Sequence, residues 1–237
     1  MIGLYDIHCH ILPGVDDGAR NMEEACWMLK KEYSEGVRRI ILTPHFRREM
    51  FEPPQELVMQ QFHKVQKAAA GISEDLKLYL GCELHASMDM VAGLKSGKRL
   101  TMAGSRYVLT EFGNCDEKAY IRERIQQLIL NGYIPIIAHI ERCQALKNDI
   151  SFIEELKNLK ACIQVNADSI SGKEGFMMKL FCKKLMKQDL LDFIGTDGHG
   201  SKRRVPEIAK CFQQVEKTMG AHYAKRIFIE NPKKITG

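Results

Sequence analysis

The sequence contains no apolar run approaching the roughly 20 residues that a membrane-spanning helix needs, so stable membrane insertion is not expected. Its eight cysteines form no Cys-x-x-Cys pair, and a chain of 237 residues is too large to need disulfide staples. They read as small apolar side chains in a reducing compartment. None is followed by an arginine six positions later, which removes the Cys-x5-Arg phosphate loop. HExxH, GxSxG and GxxxxGK[ST] are missing too, so serine and nucleoside-triphosphate chemistries lose ground with the thiol one. No internal repeat, low-complexity tract or proline-rich linker interrupts the chain.

Charge of one sign is never concentrated. Lys and Arg number 35 against 30 Asp and Glu, a net +5 that is scattered along the chain. Lys183, Lys184 and Lys187 come nearest to a cluster and read as a solvated helix face, so nucleic acid is not implied. The length suits one domain, residues 1–237, with a large core. Met1 leads almost directly into the first histidines, with no room for a signal peptide, and a cytoplasmic location is expected.

What the sequence does have is a series of short apolar runs, each ending in a metal-ligand type. Ile2 to Ile7 runs into His8-Cys9-His10 and the Asp16-Asp17-Gly18 loop. Asn21 and Glu24 then make a capping-box pattern before a helix that closes at Gly36. Val37–Leu42 ends in Thr43-Pro44-His45, and Pro53-Pro54 opens a second helix. Leu76–Leu80 ends at Glu83; Tyr107–Thr110 at Glu111; Ile134–Ala138 at His139. Helical patterns follow from about Glu117 to Leu130 and from Ser151 to Leu159, the latter opened by Ser151 and Glu154. Cys162–Val165 ends at Asn166, and Leu191–Gly195 at Thr196-Asp197-Gly198-His199. Ile208, Cys211, Phe212, Val215 and Met219 mark a last helix, while His85 to Ala103 reads as a short helix and a loop. Seven strand–helix passes, with chemistry at the carboxyl end of nearly every strand, predict a parallel sheet closed into an irregular (β/α)7 TIM-like barrel.

His-x-His at a strand end places both imidazoles on one side, within reach of one cation. Asp197-x-His199 has the same spacing and adds a carboxylate. Taken singly, each pair also fits two loop side chains, and His45 and His139 each fit a satisfied core histidine. Glu83 and Glu111 suit carboxylates that need a cation to offset their desolvation. His63, His85 and His222 read as non-ligands. Nine candidates, His8, His10, Asp17, His45, Glu83, Glu111, His139, Asp197 and His199, exceed what one tetrahedral zinc takes and suit two or three ions. Such clusters suit phosphate-ester hydrolysis. Arg142 and Arg204, ahead of Arg203, stand close enough in sequence to serve phosphate oxygens bidentately.

His8-Cys9-His10-Ile11-Leu12-Pro13 with Asp16-Asp17-Gly18, Thr43-Pro44-His45, Gly81-Cys82-Glu83, Glu111-Phe112, Ala138-His139-Ile140-Glu141-Arg142, Gln164-Val165-Asn166 and Asp197-Gly198-His199 resemble the polymerase-and-histidinol-phosphatase (PHP) superfamily. More narrowly, the chain resembles the manganese-dependent protein-tyrosine phosphatases of bacterial capsule and exopolysaccharide systems. The likeness runs from the first strand to Ile229-Glu230-Asn231-Pro232. Thr196 stands where Ser is more usual, and Leu84-His85 where an aromatic or β-branched neighbour is.

The resemblance implies a distorted (β/α)7 barrel of the PHP fold and a trinuclear site. His8, His10, Glu83 and Asp197 would hold one metal, Glu83, Glu111 and His139 a second, and Asp17, His45 and His199 a third. Mn2+ is the expected ion, with Fe, Co and Zn as alternatives. It also implies that Arg142 and Arg204 contact phosphate, and that a metal-bridged hydroxide attacks phosphorus. The phenolate leaving group, with its pKa near ~10, needs little general-acid help. The substrate implied is a phosphotyrosine protein, namely an autophosphorylating bacterial tyrosine kinase. Histidinol-phosphate or other small phosphomonoester hydrolysis is a second enzymatic reading. A non-catalytic regulatory PHP module is a third, whose mark would be lost ligands.

Overall fold

Leu4–Cys9 forms β1, buried along its whole length; the computed structural model describes residues 3–237, and the predicted start at Ile2 lies outside them. Helix α1 (Met22–Ser34) is capped by Asn21, whose side chain accepts from the Glu24 amide. This is one half of the predicted capping box. The Glu24 carboxylate goes elsewhere, to the backbone amides of Arg20 and Ser201, each at 3.1 Å. Gly36, at φ +91°, turns the chain into β2 (Val37–Leu42) and β3 (His45–Phe46).

Helix α2 (Gln55–Ile72) starts directly after Pro54 and buries Val58, Val65 and Ala69. There follow β4 (Lys77–Leu80), β5 (Glu83–His85), α3 (Met90–Lys95), β6 (Tyr107–Glu111), α4 (Lys118–Leu130) and β7 (Ile134–Ile137). A 3-10 turn at Ile140–Arg142 leads to α5 (Gln144–Lys147) and α6 (Ile150–Asn158). The cap of α6 is not the predicted Ser151 but Asp149, whose carboxylate accepts from the Phe152 amide and the Ser151 hydroxyl. Asp and Ser are comparable N-caps, and here the earlier of the two wins. Then come β8 (Cys162–Asn166), α7 (Ala167–Ser171), α8 (Phe176–Lys187) and β9 (Phe193–Gly195). The predicted terminal helix is α9 (Ala209–Met219). It is not the last, because α10 (Ala221–Lys225), a π turn at Arg226–Glu230 and α11 (Asn231–Thr236) follow it. Among the described residues no helix is long and apolar enough to cross a membrane.

All seven strand pairings are parallel, in the orders β1-β2-β4 and β3-β5-β6-β7-β8-β9. The change from one sheet to the other falls at Thr43-Pro44 and Gly81-Cys82, where Pro44 has no N–H to offer the ladder. The Gly81 amide to Leu42 carbonyl bond (2.8 Å) and the Glu83 amide to Pro44 carbonyl bond (3.0 Å) carry the pairing across that break. The result is a mixed α/β fold with a curled, parallel, half-barrel sheet. Its first and last strands meet: the Asp197 amide donates to the His8 carbonyl at 2.7 Å, and the His10 amide to the Gly198 carbonyl at 2.8 Å. Gly195 permits this approach, since a Cβ there would stand 2.5 Å from that of His8.

The core divides accordingly. Tyr5, Ile7, Ile41, Leu109, Ile136, Ala138 and Phe193 from five strands form one buried cluster with Ile235 of α11, on the concave side of the sheet. A larger cluster, including Leu29 of α1, Val65 of α2, Ile125 of α4, Ile153 of α6 and Val215 of α9, lies between strands and helices. Most buried strand side chains are therefore apolar, with Asp6, Thr110 and Gln164 among the polar exceptions, up to the carboxyl end of the sheet. There the sequence changes to histidine and carboxylate.

Candidate metal centre

The nine predicted ligands come from β1 and the loop after it, from β3, β5 and β6, and from the segments after β7 and β9, and meet at the carboxyl end of the sheet. Glu83, the first residue of β5 and fully buried, is the hub. Its Oε2 lies 3.2 Å from His8 Nε2, 3.3 Å from His10 Nε2 and 2.9 Å from His45 Nδ1; its Oε1 lies 2.8 Å from His139 Nε2. Asp197 Oδ1 stands 3.6 Å from His8 Nε2 and 3.4 Å from His10 Nε2. Asp17 Oδ1 stands 3.5 Å from His45 Nε2 and 3.4 Å from His199 Nε2. Glu111 Oε1 reaches within 3.7 Å of His139 Nε2.

Ligand atoms within 4.8 Å of one another fall into overlapping sets: His10, Asp17, His45 and His199; His8, His10 and Asp197; His8, Glu83 and His139; and His45, Glu83 and Glu111. These differ in detail from the grouping that the resemblance implies. His10 joins the Asp17 set, and His45 joins Glu111 beside Glu83. The membership of nine is the same. The three histidines read as non-ligands stand apart: His63 and His222 are exposed, and His85 turns its Nδ1 to the Ala86 carbonyl.

The backbone is shaped to present these groups. His139 and Asp197 hold φ values of +27° and +52°, a region that costs a non-glycine residue about 1–3 kcal/mol and clusters at functional sites. Behind the ligands is a layer of polar groups that sequence patterning did not reveal. His10 Nδ1 is 2.8 Å from Asp16 Oδ2, which also accepts from the His45 amide. His8 Nδ1 is 3.3 Å from Gln164 Oε1, and the same oxygen accepts from the His139 amide at 2.7 Å. His199 Nδ1 faces the Asp197 carbonyl at 2.8 Å. Each of these acceptors fixes the proton on Nδ1 and leaves the Nε2 lone pair pointing into the cluster, the arrangement an imidazole needs to bind a metal.

Asn166 donates to Asp197 Oδ2, and buried Glu141 accepts from the Asn166 amide and the Ser169 hydroxyl. Asp6 accepts from the His8 and Thr196 amides and from the Thr196 hydroxyl, locking β1 to the turn after β9. Of these, Asp16, Glu141, Gln164 and Asn166 lay inside motifs already singled out; Asp6 carried no separate signal.

Electrostatics show what the cluster lacks. Five carboxylates, from Asp16, Asp17, Glu83, Glu111 and Asp197, face one small volume. Burial alone would raise Glu83 and Asp197, yet the charges of His8 and His45 on the one, and hydrogen bonding to His10 with the charges of His8, His139 and Arg142 on the other, hold both well below the usual carboxylate range. Burial alone would lower His139, but Glu83 raises it to about 9. His199 is pushed down to about 4 by burial and the neighbouring charge of His10. Protons on some histidines and the two arginines thus balance the carboxylates. Glu83 Oε2, Glu111 Oε2 and His199 Nε2 are buried without a hydrogen-bond partner. Hard oxygens and free imidazole nitrogens left in that state fit divalent cations.

Both predicted arginines border the cluster. Arg142 Nη1 is 2.6 Å from Asp197 Oδ2, and Arg204 Nη1 is 3.2 Å from the same atom, with Arg204 Nη2 3.4 Å from Asp17. The thiols do not contribute: Cys9, between the two histidines, is fully buried and directs its Sγ to the Ile41 carbonyl.

Comparison with known proteins accords with this geometry. Tyrosine-protein phosphatase CpsB of Streptococcus pneumoniae is 32% identical, covering 98% of both chains. Tyrosine-protein phosphatase YwqE of Bacillus subtilis is 30% identical over 92% of this chain and 86% of its own. A crystal structure from work on YwqE and CpsB, described as metal-dependent tyrosine phosphatases, superposes with a TM-score of 0.91 at 28% identity, covering 98% of this chain and 94% of the other. The phosphotriesterase homology protein of Escherichia coli shares the fold alone, with a TM-score of 0.62 at 13% identity over 99% of each chain. The family described as capsular polysaccharide synthesis, CpsB/CapC, matches residues 4–237, and this chain belongs to it.

Proposed function

We propose that this protein is a metal-dependent protein-tyrosine phosphatase of capsular or exopolysaccharide synthesis, acting in the cytoplasm on an autophosphorylating tyrosine kinase. The observation that carries this reading is the convergence of nine ligand-type side chains in overlapping sets, four of the histidines on Glu83 itself, with Arg142 and Arg204 at their edge. Phosphatase activity is what the relatives CpsB and YwqE are named for. The chain is read as one domain, and its seven passes as a distorted (β/α)7 barrel; the β1–β9 hydrogen bonds at His8 and His10 support that closure.

In this reading His8, His10, Asp17, His45, Glu83, Glu111, His139, Asp197 and His199 hold two or three divalent ions, with Mn2+ preferred. When bound, such ions supply Lewis acidity at the phosphoryl group and activate water near neutral pH. Arg142 and Arg204 bind and orient the phosphoryl oxygens. Both now lean on Asp197, whose carboxylate holds them at the mouth until a more highly charged anion arrives. Gln164, Asp16 and Asn166 hold the ligands' orientations. No thiol acts as nucleophile, so the reaction should resist thiol reagents.

The test is hydrolysis of a phosphotyrosine peptide. Activity should vanish with a chelator, return with Mn2+ and be lost in His8→Ala. Arg142→Ala should lower kcat/KM about 10²-fold, the scale for one donor to a reacting oxyanion. Undiminished activity in His8→Ala, or faster turnover of histidinol phosphate than of the peptide, would contradict the reading.

A further inference from the structure

Beside the metal centre a cavity of about 350 Å3 is lined by Asp17, Gly18, Arg20, Glu24, His199, Gly200, Lys202, Arg203 and Arg204. Four of these side chains are cationic and two are carboxylates. Arg20 is bound to Glu24 at 2.7 Å, and Arg204 lies 3.4 Å from Asp17. The remaining cations, Lys202 and Arg203, are exposed, and neither forms an ion pair among the described residues. The cavity therefore carries surplus positive charge at Lys202 and Arg203, next in the chain to Arg204.

The segment that bears this charge is held in place. The His199 amide donates to the Arg204 carbonyl at 2.9 Å, closing the loop on itself. Within it the Ser201 amide and hydroxyl both donate to Glu24 Oε1, at 3.1 and 3.0 Å. Gly200 packs so closely on that carboxylate that a Cβ would meet it at 3.0 Å. Arg204 closes the loop at φ +46°. Such a tethered loop presents its charges at low entropic cost.

We propose that Lys202 and Arg203 form a specificity subsite for acidic side chains adjacent to the phosphotyrosine of the protein substrate. The inference rests on the phosphatase reading above. A polypeptide whose phosphoryl group sits between Arg142 and Arg204 leaves along the cavity that these two cations line. A carboxylate there gains the attraction of two otherwise unpaired charges, and a small aryl phosphate gains nothing.

The test compares two phosphotyrosine peptides of the same length, one with three flanking Asp and one with Asn in their place, against p-nitrophenyl phosphate. Mn2+-loaded protein should show a KM about fivefold lower for the Asp peptide, the scale of two exposed ion pairs, and the preference should fade as salt rises. Binding of the matching peptides carrying a non-hydrolysable phosphonate should show the same ratio. In Lys202→Ala/Arg203→Ala the ratio should fall to near unity while p-nitrophenyl phosphate turnover is unchanged. In Lys202→Glu/Arg203→Glu the preference should invert. Equal KM values for the two peptides in the unsubstituted protein would overturn the subsite alone. A protein that hydrolysed neither peptide would overturn both the subsite and the phosphatase reading.

Discussion

Single residues decide how the metal centre is held. Gln164 touches no predicted cation, yet its Oε1 serves both the His8 ring and the His139 amide, and its Nε2 donates to Asn166. Gln164→Ala is expected to weaken Mn2+ binding by about 10–100-fold, the usual cost of losing a group that orients a ligand, when measured by metal titration. Glu24 makes a prediction about acid stability. Its hydrogen bond from Arg20, then the bonds from Ser201, hold its pKa at about 2 against burial. A depressed carboxylate stabilises the fold above its unfolded pKa, near ~4.3, and that contribution is lost as pH falls toward the folded value. Glu24→Gln should therefore narrow the drop in thermal midpoint between pH 6 and pH 3 relative to the unsubstituted protein. An equally steep drop would contradict the assignment.

The nine candidate ligands, which the fold brings together, were legible in sequence because nearly all lie at or just beyond the end of an apolar run, a signal that survives without knowledge of contacts. Asp16 and Asp17 are adjacent and chemically alike, and only the folded chain shows that one orients His10 while the other faces His45 and His199. Asp6 was invisible for a similar reason, and Gln164, though inside a quoted motif, had no role assigned to it. A buried polar group is chosen by its hydrogen-bond partners, some of which lie far off in sequence, the His139 amide 25 positions from Gln164 and the Thr196 amide 190 from Asp6, and such pairs leave no periodicity.

Among secondary-structure elements, boundaries moved where local signals tied. Strand β9 starts at Phe193 rather than Leu191; at Asp192 the amide already donates to the Ile163 carbonyl, but the side-chain carboxylate takes the Ile163 amide and Lys157. For α6, Asp149→Ala should cost about 1 kcal/mol, the ordinary worth of an N-cap, in urea denaturation. Ser151→Ala should cost less, and the reverse order would contradict the observed cap. The helices after α9 escaped prediction because they are short and are joined by a π turn, which no 3.6-residue pattern marks. Their role is nonetheless structural: Ile235 of α11 is a buried member of the cluster that includes Tyr5 and Phe193. Ile235→Ala should destabilise the protein by roughly 2–4 kcal/mol, as buried large-to-small changes do.

At the scale of the whole molecule, the seven parallel pairings make one continuous surface whose carboxyl end is a site and whose concave interior is apolar packing. The sequence disclosed this arrangement through repetition: strand, ligand, loop, helix. The eight cysteines fit the same picture. Cys115 is exposed, Cys26 and Cys162 are half-buried and the rest are buried, none in a disulfide. Burial with the charge of Asp192 pushes the Cys162 thiol up to about 12. A thiol-specific reagent should therefore modify Cys115 quickly in the native protein and leave activity intact.

The central claim is that residues from His8 to His199 form one polynuclear cage centred on Glu83. Metal content measured on Mn2+-saturated protein after removal of free ion tests it most directly. The account predicts two or three ions per chain, falling to one or none in Glu83→Ala while the circular dichroism spectrum is retained. One ion or fewer in the unsubstituted protein, or an unchanged stoichiometry in Glu83→Ala, would contradict it.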